Sequence, residues 1–78
     1  MYLKVISPED LLLDVETNMV QFPGWEGSFT VLDGHAPLIS SLRQGQIRYW
    51  KENGDEESLA VESGFVEVAD DEVKVCVD

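Results

Sequence analysis

The sequence predicts an all-β fold, a small flattened sandwich or barrel of about eight to ten short strands. Two observations lead there: apolar residues alternate with polar ones at period two, and turn signals recur about every ten residues without a helical period between them. Length is the third, because 78 residues leave room for one core, so residues 1–78 are expected to form a single domain.

Tyr2 to Ile6 opens the pattern, with Leu3 and Val5 on one face of a strand. Ser7-Pro8-Glu9-Asp10 is a turn, since proline fixes its own φ and disfavours helix before it. Ser-Pro-Glu-Asp is also a helix-start signal, but the short reach of Leu11 to Val15 and its β-branched surroundings favour a strand. Met19 to Phe22 follows after polar Glu16-Thr17-Asn18. Ile47 to Lys51 and Ser58 to Glu62 flank Asn53-Gly54, a hairpin signal because both residues tolerate positive φ. Val66 and Val68 lead through Ala69-Asp70-Asp71-Glu72 into Val73, Val75 and Val77, a second hairpin with the three valines on one face.

The segment Phe22 to Ile39 departs most from this grammar. Two glycine-bracketed turns surround one apolar strand, and the segment holds the sole histidine, one of two tryptophans and two of three prolines. Trp25, between Gly24 and Glu26-Gly27, is expected on a turn, either displayed to a partner or folded back as a lid over the core end. His35 reads as a loop histidine whose ring bonds a backbone group and orients Ala36-Pro37, a role compatible with contact to a partner.

Composition narrows the function. Sixteen acids against five basic residues give a formal net charge of −11. Such an excess repels phosphates and anionic lipid headgroups, so nucleic acid and direct lipid insertion are disfavoured and a basic protein surface is favoured. Residues 51–78 hold ten of the acids, so Arg43 and Arg48 lie in the milder half, beside the unusual segment. Cys76 is the only cysteine, which suits a reducing compartment, and its alternating strand context suits a structural thiol. No signal peptide or apolar span is expected.

Catalysis and metal binding find little support. Asp33, His35 and Ser40 or Ser41 are the right residue types for a nucleophilic site, but no Gly-x-Ser-x-Gly elbow accompanies them. A metal would need three or four convergent ligands, and there is one histidine and no cysteine pair. Gly24, Gly27 and Gly34 lack the Gly-Lys-Ser/Thr of a phosphate cradle, and Asp70-Asp71-Glu72 reads as a solvated turn. No catalytic residue, cofactor or metal is therefore assigned. A free-standing ligand-binding module using Trp25, Tyr49 and Trp50 as a platform is the alternative reading.

Pro23-Gly24-x-Glu26-Gly27 followed by Val31-Leu32-x-Gly34-His35-Ala36-Pro37-Leu38-Ile39 resembles the epsilon subunit of F-type ATP synthases. Leu42-x-x-Gly45-x-Ile47-Arg48, Ser63-Gly64-Phe65-Val66-Glu67-Val68 and Val73-x-Val75 extend the resemblance over essentially the whole chain. It implies a non-catalytic β-sandwich at the foot of the rotating central stalk, coupling proton-driven rotation to ATP synthesis. The implied partners are the gamma subunit and the membrane c-ring, with the isolated chain a monomer. The implied place is the cytoplasmic face of a bacterial cell membrane, as a peripheral part of the complex. Carried over by position, Ser7, His35, Ala36, Ser40 and Leu42 fall at the gamma interface, and Trp25, Glu26, Gly27 and Ser28 in a loop facing the c-ring. Thr30 stands where the family commonly has glycine, Asp33 where it has proline, and Ser28 where several relatives have an acid. Many members continue into two inhibitory C-terminal helices. This sequence stops at Asp78 after its last strand, so a chain without that hairpin is expected.

Overall fold

The computed structural model describes residues 1–78 and is built entirely from strands and turns. Nine strands follow in order: β1 Tyr2–Ile6, β2 Leu11–Glu16, β3 Met19–Gly24, β4 Gly27–Leu32, β5 Leu38–Leu42, β6 Gly45–Trp50, β7 Glu56–Val61, β8 Gly64–Ala69 and β9 Glu72–Val77. They form one curled sheet in the order β2-β1-β9-β8-β5-β3-β6-β7, with β4 joined to β3. The curl folds it into two facing parts, β2-β1-β9-β8-β5 and β4-β3-β6-β7, which touch through the single pairing of Gly24 with Leu42.

Alternation decides which side chains enter the space between these layers. Leu3 and Val5 of β1, Val20 and Phe22 of β3, Val66 and Val68 of β8, and Val73 and Val75 of β9 all point into one core of fourteen buried residues. Leu13, Val15, Phe29, Leu38, Leu59 and Val77 close its margins. Phe22 is the largest fully buried side chain, and its ring lies 5.5 Å from that of Phe29. Thr17 is the one buried polar residue, and its hydroxyl lies 2.6 Å from the Trp50 carbonyl, tying the β2–β3 corner to the end of β6. No buried side-chain polar atom lacks a partner, as a small low-dielectric core requires.

Two features lay beyond local pattern. β1 and β9 pair in parallel, Leu3 with Val73 and Val5 with Val75, so the first and last strands lie side by side. β5 runs through Ser40-Ser41, which interrupts the apolar alternation and leaves no clear strand signal in the sequence. The hairpin signals also sort differently from expectation. At Asn53-Gly54 only Gly54 has positive φ, at 90°, and its N–H donates to the Lys51 carbonyl while Lys51 N–H donates to Asp55. That is a longer loop with glycine in its left-handed position, not a two-residue turn with both residues left-handed. The two-residue left-handed turn is at Asp70-Asp71, with φ of 51° and 63°, joining the paired Ala69 and Glu72. Aspartates tolerate this region because their short polar side chains bond locally.

Phe22→Ala removes a ring from a core sealed on all sides, and is expected to cost about 3–5 kcal/mol. Urea unfolding checks this, and a cost below about 1 kcal/mol would show that the core is not close-packed there.

Candidate functional site

The segment singled out in the sequence folds as the β3–β4 hairpin, β4 itself and the loop Asp33–Pro37. Gly24 and Gly27 pair across the base of the first turn, leaving Trp25 and Glu26 as its tip. Gly24 must be glycine: a Cβ there would lie 2.7 Å from the Gly27 carbonyl oxygen and 2.9 Å from the Phe29 ring. The tip is anchored on β5, because Trp25 N–H donates to the Ser41 carbonyl at 3.1 Å. Arg43 N–H donates to the Pro23 carbonyl at 2.9 Å, and the Arg43 guanidinium lies 5.8 Å from the Trp25 ring centroid. Trp25 is 63% exposed, so it is displayed and does not fold back as a lid.

Ser28 and Ser40 come together across a groove of ≈ 540 Å³ bounded by the hairpin tip and by Ile39–Ser41 of β5. The structure thus joins Ser40, predicted with the gamma-facing group, to the loop Trp25–Ser28. Ser7 ends β1 at the same end of the five-stranded layer, beside a depression of ≈ 270 Å³ formed with Ile6, Phe65 and Cys76. His35 and Ala36 lie at the opposite end, near the start of β5. Leu42 is 1% exposed and belongs to the core, so it offers no surface to a partner. Its position in the family resemblance placed it at a contact, and the pairing of β5 with both β3 and β8 buries it.

The Asp33–His35 pair does not form a catalytic relay. Asp33 Oδ1 accepts from the Met1 amino group at 2.7 Å, while His35 Nδ1 donates to the Ala36 carbonyl at 2.6 Å. His35 thus braces the peptide before Pro37, the loop role read from the sequence. Asp33 instead tethers the amino end, and Met1 also donates to the Thr17 carbonyl at 3.0 Å. No group of three or more His, Cys, Asp or Glu side chains is placed to hold a metal. The aromatic platform is likewise not formed. Tyr49 is 8% exposed within the core, Trp50 lies under Arg48 at 5.3 Å, and Trp25 is at the other end of β3.

Sequence reasoning missed an apolar row at one end of the outer face of the five-stranded layer, beside a row that carries Lys4, Lys74 and Glu67. Ile6, Cys76, Phe65 and Ser41 stand in register across β1, β9, β8 and β5. Phe65 is 49% exposed and Ile39, one row along, is 74% exposed. Leu11 and Leu12 extend the row where β2 bulges opposite Ile6. The signal was present as apolar residues on the polar parity of each strand, but only the register aligns them.

The chain folds as a strand-built sandwich that displays a turn and a row of exposed apolar groups on its outer face. Its residues 1–78 match the family of the ATP synthase delta/epsilon chain beta-sandwich domain, and the chain belongs to that family. It is 47% identical over 76 residues to the ATP synthase epsilon chain of Magnetococcus marinus, covering 97% of this chain and 55% of that one. The ATP synthase epsilon chain of Desulfitobacterium hafniense is 46% identical, with 97% and 57% covered. The chain therefore spans little more than half the length of these relatives. Among solved structures, the Euglena gracilis mitochondrial ATP synthase OSCP/F1/c-ring assembly contains a chain that superposes with a TM-score of 0.89 at 23% identity, covering 96% of this chain and 48% of that one. The Tetrahymena thermophila mitochondrial ATP synthase central stalk and c-ring contains another, at 0.78 and 14% identity, with 97% and 61% covered. At these identities the structural likeness establishes the fold.

The Met1–Asp33 contact has a pH consequence. The hydrogen bond with Asp33 chiefly raises the pKa of the amino group above its ordinary 8.0, and burial opposes it. A raised folded-state pKa stabilises the fold fully below the unfolded value and loses that stabilisation as pH rises through the folded value. Asp33→Asn is expected to cost about 1 kcal/mol at neutral pH and to flatten the stability loss above pH 8. Thermal unfolding from pH 7 to 10 checks this, and parallel curves for both proteins would remove the contact from the account.

Proposed function

We propose that this chain is the sandwich of a central-stalk rotor subunit of an F-type ATP synthase, working at the cytoplasmic face of a bacterial membrane. It binds the gamma subunit and rests on the c-ring, and it carries out no chemistry of its own. The observation that supports this reading most is the exposed apolar row of Ile6 and Phe65, with Ile39 one row along, Ser7 at its rim and Trp25 at its far end. Exposed aromatic and aliphatic groups in one band favour a permanent protein contact over a small ligand. The flanking acids suit a basic partner.

In this reading Ser7, beside the apolar row, and Ser40, at the groove under the hairpin tip, meet gamma. His35 and Ala36, at the other end of β5, form a second, separate contact. The turn Trp25-Glu26-Gly27-Ser28 looks toward the c-ring. The role is mechanical: a sandwich held by two partners stiffens the stalk foot, so that torque from proton flow passes upward with little loss.

Binding to cognate gamma tests the division. Phe65→Asp is expected to weaken gamma binding at least about tenfold in calorimetry, because a carboxylate is then desolvated at the centre of the contact. Trp25→Ala is expected to leave gamma affinity unchanged and to reduce retention on assembled rotor with the c-ring. Equal losses for both variants with gamma alone would overturn the division, and absence of wild-type binding would overturn the function.

A further inference from the structure

The edges of the two layers are guarded unequally. β2 ends the five-stranded layer with Asp14, Glu16 and a bulge, and β7 ends the other with Glu56 and Glu57. Charges and bulges are the usual means by which natural sheets discourage foreign strands. On the opposite side, β4 and β5 contain no charged residue at all, in a chain with sixteen acids. β4 pairs only with β3, in unbroken register from Leu32 to Gly27. β5 pairs with β8 along its length, but touches β3 only at Leu42.

The backbone on these edges is aimed outward. Pro23 stands opposite Ser28 and has no N–H, which marks that pair as one without ladder bonds. Alternation then turns the N–H and C=O of Ser28 and Thr30 away from β3. On β5, the Ser41 carbonyl leaves the ladder with β8 to accept from Trp25, so Ile39 two residues earlier presents its N–H and C=O to the same side. The groove of ≈ 540 Å³ lies between Gly27–Phe29 and Ile39–Ser41, with Trp25 at its mouth.

We propose that an extended segment of a neighbouring ATP synthase subunit, free of carboxylates, adds as a strand alongside β4 and hydrogen-bonds its open edge at Ser28 and Thr30. The proposal rests on the chain working inside that complex. The occupant is not a second copy, because bringing together two chains of charge −11 opposes association. An acidic segment is opposed for the same reason, whereas a neutral or basic one is drawn in. Main-chain bonds supply the affinity, and the small side chains of Ser28 and Thr30 leave room for those of the guest.

Hydrogen exchange of the chain alone and within the assembled complex tests this, with Thr30→Pro and Thr30→Val as variants. Proline at Thr30 removes an outward N–H and no β3–β4 bond, as Pro23 already does across the hairpin. Protection of Ser28 and Thr30 on assembly is expected, with incorporation of Thr30→Pro about tenfold weaker and that of Thr30→Val unchanged. Normal assembly of wild type and Thr30→Pro alike, without protection at Ser28 and Thr30, would overturn the strand and leave the stalk role standing. Failure of wild type to assemble would overturn both. A dimer of the isolated chain that Thr30→Pro abolishes would assign the edge to a second copy and overturn the proposed occupant.

Discussion

β3 is hydrogen-bonded to β4, β5 and β6, and the two layers of this sandwich meet through it. Its inward side chains, Val20 and Phe22, are fully buried, and Gly24 ends it at the corner with Leu42. The turn that follows therefore has no freedom to settle elsewhere. Trp25 is displayed because β3 ends where the core ends, and Ser41 and Pro23 then hold the tip in place through backbone bonds. A feature that looked like a local oddity of glycines and aromatics is a consequence of how the central strand is packed.

The same strand separates the surfaces. Outer-face apolar residues lie on β1, β9, β8 and β5, while the open seam lies beside β4, and the hairpin tip stands where the two adjoin. A small sandwich spends its inward positions on the core, so whatever it binds must be met by outward side chains or by strand edges. Both kinds of surface are present here.

Much of the fold was legible residue by residue. Leu3, Val5, Val66, Val68, Val73 and Val75 alternate where they are buried, and Ser7-Pro8 and Asp70-Asp71 turn the chain where turn residues stand. β5 was not legible, because Ser40 and Ser41 erase its period, and its pairing with β8 is a long-range choice. The candidate site was legible in part. The backbone role of His35 and the display of Trp25 follow from their neighbours, whereas the burial of Leu42 and the remoteness of Ser7 from His35 depend on which strands lie side by side.

The sequence by itself determined the all-β class, the inward faces and the turn at Trp25-Glu26, since each depends on residues within a few positions of one another. Tertiary structure decided the parallel pairing of β1 with β9, the capture of Asp33 by the Met1 amino group, and the alignment of Ile6, Cys76 and Phe65 into one row. The physical reason is register. Alternation tells each strand which face to bury, but it is silent about which strand lies alongside, and surfaces are made by neighbours.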